Sequence, residues 1–228
     1  MDFGLSEAIR NCEKNAIIAE VKVYSPKYGD LLRGRDPIGI LRAYERAGAV
    51  GISYITEPNH FNGNFELFRK ICKETDLPVL RKDFITNKEE IERTAEAEAS
   101  AVLIIARILK DKTAEFVDFA LEHGLDSLVE VHTIEDLKIA VETNSTMIGI
   151  NNRDIGRLEK DDGNITLTQK LAPLIPNKFV KVSESGITSL QDLKIALSYA
   201  DAALIGTAFM KAEDPEKIVR EFVEAKLC

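Results

Sequence analysis

The stretch Ile17–Asp30, IIAEVKVYSPKYGD, opens as a buried strand and yet carries two charges inside it. Ile17, Ile18, Ala19, Val21 and Val23 suit a strand interior, while Glu20 and Lys22 occupy alternate positions. Alternate residues on a strand point to the same face. Either that face is wet, or the two charges are buried in a site, or they form a structural ion pair in the core.

Similar runs return along the whole chain. AIIAEVK at 16–22, GISYIT at 51–56, PVLRK at 78–82 and AVLIIA at 101–106 come first. DSLVEV at 126–131, MIGIN at 147–151, FVKVS at 179–183 and AALIG at 202–206 follow. Short runs rich in Val, Ile and Leu read as strands, not helices. Between them lie helical signals. Asp36 caps a helix with Pro37 at its first position and Gly48 stops it; Asn87 with Glu90 has capping-box spacing. Asp111 opens DKTAEFVDFALEHG, whose apolar stripe is Phe116, Val117, Ala120 and Leu121, and Gly124 ends it. Thr133 and Asp214 cap two more, the last with Ile218, Val219, Phe222 and Val223 on one face.

Strict alternation of strand and helix implies parallel strands, and right-handed crossovers close eight such units into a barrel. An open doubly wound sheet uses the same units, but no Gly-rich fingerprint follows the first strand. No Pro/Gly/Ser-rich linker divides the chain. The expectation is an α/β protein, one (β/α)8 TIM barrel over residues 1–228 with a short N-terminal extension.

Composition narrows the partners. With Lys plus Arg at 30 and Asp plus Glu at 38, the net charge of -8 argues against nucleic-acid or membrane-surface binding. Cys12, Cys72 and Cys228 are odd in number and form no CxxC pair, so neither a disulfide framework nor a zinc site is expected. The N-terminus lacks a signal-peptide pattern, and no apolar run approaches ~18 residues. A soluble protein of the reducing cytoplasm is expected.

Barrel chemistry sits at the C-terminal ends of the strands. Those ends supply Glu20 and Lys22, then Thr56 and Glu57, then Arg81, Lys82 and Asp83. Glu130 and His132 follow, then Asn151, Asn152, Arg153 and Asp154, then Ser183, Glu184, Ser185 and Gly186, and last Gly206 and Thr207. Lys22, Lys82 and Glu130 lie within apolar runs, where an unpaired charge costs several kcal/mol, so they need partners or a wet cavity. Converging at one mouth, they would supply an acid and a base with shifted pKa values. SESGI and LIGTAFM offer backbone N–H groups beside hydroxyls after the seventh and eighth strands, where barrels hold phosphate; the glycines read equally as turn residues. Arg153 suits a carboxylate. His60, His123 and His132 show no metal-ligand spacing, and His132 reads as a packed or solvent-facing residue. Phe61 either walls an aromatic ligand or covers the core.

AEVKVYSP, LRKDF, LVEVH, IGINNRD, VSESGI and LIGTAFMKAEDP, in this order from about Ile17 to Pro215, resemble the motif set of the indole-3-glycerol-phosphate synthase family of tryptophan biosynthesis. The resemblance implies a (β/α) barrel acting on 1-(2-carboxyphenylamino)-1-deoxyribulose 5-phosphate by ring closure, decarboxylation and dehydration, with no metal or organic cofactor. By that resemblance Lys82 is the general acid and Glu130 the base of dehydration. Lys22 lies near the substrate carboxylate, Glu20 orients the lysines, and Asn151 holds the reacting part. Arg153, Glu184, Ser25, Ser185, Gly186, Gly206 and Thr207 fall among substrate and phosphate contacts, with Phe61, Phe84 and Leu103 at the aromatic end.

The sequence departs from the family's pattern in three places. The first loop reads SPKYG where SPSKG is common, with Lys27 at a serine position. Tyr24 stands where a lysine or small residue is more frequent. The segment before the first strand is shorter than the helical extension many members carry over the mouth. Two rivals remain: a sugar-phosphate isomerase barrel, which would use a cysteine or aspartate pair at strand ends, and a non-catalytic barrel that binds the ligand or docks a partner. The expected partner is a small anionic phosphate compound; a monomer and weak association with other tryptophan-pathway enzymes both stay open.

Overall fold

The structure is a computed structural model that describes residues 4–153 and 165–226; Asp154 and Cys228 lie outside the described residues. Eight parallel strands close on themselves. They are β1 (Ala16–Val21), β2 (Gly51–Ile55), β3 (Val79–Lys82), β4 (Ala101–Ile105), β5 (Asp126–Val131), β6 (Met147–Asn151), β7 (Val180–Glu184) and β8 (Ala202–Ile205). Each pairs with the next in sequence, and β1 closes the ring on β8 with Ala16 opposite Ala202 and Ala19 opposite Ile205. The eight apolar runs therefore became the eight strands, with ends differing by a residue or so.

The period of two sorts the strands into two layers. Ile18, Leu80, Leu103, Leu128, Met147, Val182 and Leu204 pack together inside the barrel. Ile17, Ala19, Val21, Ile52 and Tyr54 pack outward with Leu41, Tyr44 and Phe68 of the surrounding helices. Across the ring, Ile104, Val129, Ile148 and Ile150 do the same against Phe116, Val117, Leu137 and Leu171. Each fully buried side chain of this kind stabilises the fold by about 1.5–3 kcal/mol.

The caps act largely as their chemistry dictates. Asp36 accepts from Gly39 N at the start of Pro37–Arg46, and Asp214 from Lys217 N at the start of Pro215–Glu224. Thr133 and Asp136 form a reciprocal capping box. Asn87 Oδ1 accepts from Glu90 N at 3.0 Å. Two expectations shift. The longer helix after β4 begins at Thr113, because a short helix Ala106–Leu109 and a 3₁₀ turn over Lys110–Lys112 intervene and Asp111 makes no cap. Leu121 of that helix is 39% exposed, so its stripe is Phe116, Val117 and Ala120.

The short extension seals the opposite pole from the strand ends that carry charge. Helix Leu5–Arg10 buries Leu5 and Ile9 beneath the barrel interior. It is pinned by Ser6 N to Asp126 Oδ2 at 2.9 Å and by Arg10 Nη2 to the Lys178 carbonyl at 2.9 Å.

Candidate active site

At the C-terminal pole the inward face turns from apolar to charged. Glu20 and Lys22 continue the inward side of β1, Lys82 ends β3, Glu130 lies near the end of β5, and Glu184 ends β7. Glu20, Lys22, Glu130 and Glu184 are all buried. Lys82 Nζ lies 2.7 Å from Glu184 Oε2 and 4.0 Å from Glu20 Oε2. Lys22 Nζ lies 3.5 Å from Glu20 Oε1. Glu130 Oε2 accepts from Asn151 Nδ2 at 3.1 Å, and Asn151 Oδ1 in turn accepts from Arg153 N at 3.1 Å.

Two glycines make room for the carboxylates. A methyl on Gly206 would stand 2.3 Å from Glu20 Oε1, and one on Gly149 would stand 2.0 Å from Glu184 Oε1. The phosphate-type reading of Gly206 and its packing role are therefore compatible: the missing side chain serves Glu20.

Burial and mutual repulsion set the protonation of this cluster. Burial raises the Glu184 carboxyl to about 7, with Lys82 opposing and Glu130 and Glu20 adding to the rise. Burial also raises Glu130, against Lys82 and the Asn151 amide. Burial alone would push the Lys82 ammonium down, but Glu184, Glu20 and Glu130 outweigh it and hold lysine's proton more tightly than usual. The cluster thus holds its lysine charged and the Glu184 carboxyl within reach of protonation near neutral pH.

A cavity of about 350 Å³ opens over these groups. Glu20, Lys22, Lys82, Glu130, Asn151 and Arg153 line it. Phe61, Phe84 and Leu103 line it too, with Lys22 Nζ 5.5 Å from the Phe61 ring centre. Ser185, Gly186, Gly206 and Thr207 form another part of the wall. Two expected residues do not line it. Ser25 is fully buried in the small hairpin Tyr24–Ser25/Gly29–Asp30, where Lys27 N donates to its hydroxyl at 3.3 Å. Glu184 is fully buried behind Lys82, which it holds.

The loops are fixed from outside. Arg81, outward-facing beside Lys82, donates Nε to Thr56 Oγ1 at 2.9 Å and Nη1 to the Glu90 carbonyl and Thr94 Oγ1, both at 2.9 Å. Its Nη2 reaches Asp83 and Glu90. Asp83 accepts from Thr56 Oγ1 at 2.5 Å and from Phe84 N at 2.8 Å, so Phe84 is held by the same net. Glu57 accepts from the amides of Asn59, His60 and Phe61, which seats Phe61; these bonds outweigh burial and lower the Glu57 carboxyl below the usual range. Asn152 Nδ2 bonds Ser183 Oγ and the Glu184 and Ser185 carbonyls, tying the β6 loop to the β7 loop. There Ser185 at φ 64 and Gly186 at φ 75 put two successive residues in the left-handed region, which serine adopts reluctantly.

The cavity also holds Tyr28, Thr188 and Lys211, which strand ends alone did not reveal. Lys211 Nζ lies 4.3 Å and Lys27 Nζ 5.5 Å from the Tyr28 ring centre, so the SPKYG loop places an aromatic ring between two cations at the rim. Among the described residues no group of three or more His, Cys, Asp or Glu is arranged to hold a metal ion. Among the described residues, too, no helix is long and apolar enough to cross a membrane.

A closed parallel barrel that seats lysines and carboxylates at the C-terminal mouth, beneath a cation-bearing rim, defines a (β/α)8 enzyme of the acid–base class. Comparison with known proteins makes the class specific. The family model described as "Indole-3-glycerol phosphate synthase" matches residues 2–222, and the chain belongs to that family. A protein of the same name from Pyrococcus abyssi is 76% identical over 226 residues, covering 99% of each chain. Its namesake from Thermococcus kodakarensis is 71% identical over 227 residues, covering 100% of each. The "Tryptophan biosynthesis protein TrpCD" of Archaeoglobus fulgidus is 57% identical over 223 residues, which are 96% of this chain and 40% of that protein.

Proposed function

We propose that the chain converts 1-(2-carboxyphenylamino)-1-deoxyribulose 5-phosphate to indole-3-glycerol phosphate, with Lys82 as general acid and Glu130 as base. The observation that carries the assignment is that the Lys82 ammonium and the Glu130 carboxyl open onto one cavity. As the ring carbon attacks the ketone, the carbonyl electron pair moves to oxygen and Lys82 delivers a proton there. An ammonium aimed at developing negative charge in a dry site stabilises it far more than in water. Carbon dioxide then leaves, and the electrons of the broken bond restore ring conjugation. Loss of water follows: Glu130 takes a proton while a lysine ammonium protonates the departing hydroxyl.

The other groups orient the reactants. Glu184 and Glu20 hold Lys82, Asn151 holds Glu130, and Lys22 and Arg153 meet the substrate carboxylate. Phe61, Phe84 and Leu103 border its aromatic ring. Ser185, Gly186, Gly206 and Thr207 receive the phosphate, with Lys211 adding positive charge at the rim. This local field draws a substrate that carries both a carboxylate and a phosphate to a protein of net charge -8. The cytoplasm, where Cys12 and Cys72 stay reduced, suits the reaction. The longer Archaeoglobus relative supports association with another tryptophan-pathway activity.

The test is turnover of that substrate by purified protein. The chain has no Trp, so indole fluorescence rises over a tyrosine-only background. Absence of any gain would favour the non-catalytic barrel.

A further inference from the structure

The mechanism leaves one buried titratable group unused beside its base. His132 follows β5 by one residue and shares the inward face of Glu130, two positions earlier. It is 7% exposed, and its Nε2 stands 3.3 Å from Glu130 Oε1. The two Glu130 oxygens differ. Oε2 receives the Asn151 amide at 3.1 Å, whereas Oε1, fully buried, accepts no hydrogen bond from the described residues. The imidazole is within range of Oε1 and only off line, as catalytic hydrogen bonds often are before substrate binds.

The other side of the ring faces a second carboxylate. Asp136 Oδ2 accepts from His132 N at 2.9 Å and Thr133 N at 3.1 Å, and it lies 4.0 Å from His132 Nδ1. Arg107 Nε stands 3.7 Å from the same oxygen. The imidazole therefore sits between two carboxylates, one at the reacting end and one held by a helix start. A proton on Nε2 faces Glu130 Oε1.

We propose that His132 is a positioning residue for Glu130, its Nε2–H holding Oε1 so that the carboxylate stays aimed and basic while Asn151 holds the other oxygen. The inference rests on the assignment of Glu130 as base. Other charges also act on Glu130: Lys82 from β3, Glu20 from β1, Glu184 from β7 and Arg107 from the helix Ala106–Leu109. Burial drives that carboxyl toward its neutral form, and a donor on Oε1 opposes the drift.

The experiment compares wild type, His132→Leu and His132→Gln by the pH dependence of kcat/KM. Loss of a hydrogen bond to a charged group should move the acidic limb of His132→Leu to higher pH by about one unit. That is about a tenfold loss on the acid side and near-wild-type values on the plateau. His132→Gln, which keeps an N–H donor, should recover most of the shift. A uniform loss at every pH, or equal shifts in both variants, overturns the proposal. The second readout needs no turnover: the carboxyl 13C resonance that Glu130→Gln removes should titrate at higher pH in His132→Leu than in wild type. An unmoved titration overturns the inference even if the wild type is active. A wild type that makes no indole product overturns the functional assignment instead, and the titration still decides the His132–Glu130 contact. Should His132→Leu fail to fold, the titration in His132→Gln against wild type decides: a wild-type-like midpoint supports the donor role, and a one-unit rise refutes it.

Discussion

Replacing Lys82 by Met keeps an unbranched side chain one atom shorter and removes its charge. Two consequences follow from the geometry. Under the proposed mechanism the ketone oxygen loses its proton donor, and a general acid typically contributes about 10²–10⁴-fold. At 1.36 kcal/mol per tenfold, that is about 3–5 kcal/mol of transition-state stabilisation. The second consequence is at Glu184, which loses the cation 2.7 Å from its Oε2. In the wild type its carboxyl titrates at about 7, raised by burial from 4.5. A raised carboxyl contributes stability that is fully present below about pH 4.5 and is lost as pH rises through about 7, on the order of 3 kcal/mol in all. Without Lys82 to oppose burial, the folded-state pKa climbs further and the loss continues into alkaline pH. Guanidinium unfolding should show the variant close to wild type at pH 5 and weaker by about 3–5 kcal/mol above pH 8, the cost of breaking a buried ion pair. Turnover is read by indole fluorescence. Activity within tenfold of wild type would refute the acid role, and a stability gap that ignores pH would refute the Lys82–Glu184 linkage.

Two further outcomes test the supporting structure. Gly206→Ala sets a methyl 2.3 Å from Glu20 Oε1, so Glu20 must move; thermal unfolding should report about 1–3 kcal/mol of overpacking, with a drop in kcat. Asn152→Ala removes the amide that ties Ser183, Glu184 and Ser185, and steady-state kinetics should show KM rising about tenfold or more, with kcat changing less.

The strands were legible because each is a short run of branched apolar residues between caps that local chemistry fixes, as at Asp36, Thr133 and Asp214. The candidate site was legible for a related reason: Lys82 and Glu130 are charges at positions where the pattern demands apolar side chains, and both line the cavity. What escaped the sequence depends on closure of the ring. Glu184 pairs with Lys82 across 102 residues, and only the completed barrel shows that it serves the lysine and stays out of the cavity. Lys211, Tyr28 and Thr188 sit past strand ends, in segments whose direction no periodicity records. His132 reads as packed, which it is, but its ring also lies against Glu130. The Asp111 cap failed because Asp111 sits inside the 3₁₀ turn, where Thr113 Oγ1 bonds the Lys110 carbonyl, and the composition near Asp111 does not distinguish the two.

Adjacent residues 81 and 82 divide two tasks by pointing to opposite sides of one strand. A slip of β3 by a single position would exchange them, putting a forked guanidinium over the cavity and an ammonium among acceptors spaced for a fork. The outer net around Arg81 therefore acts as an alignment key: it admits one offset of the strand, and that offset is the one that turns the Lys82 ammonium into the cavity.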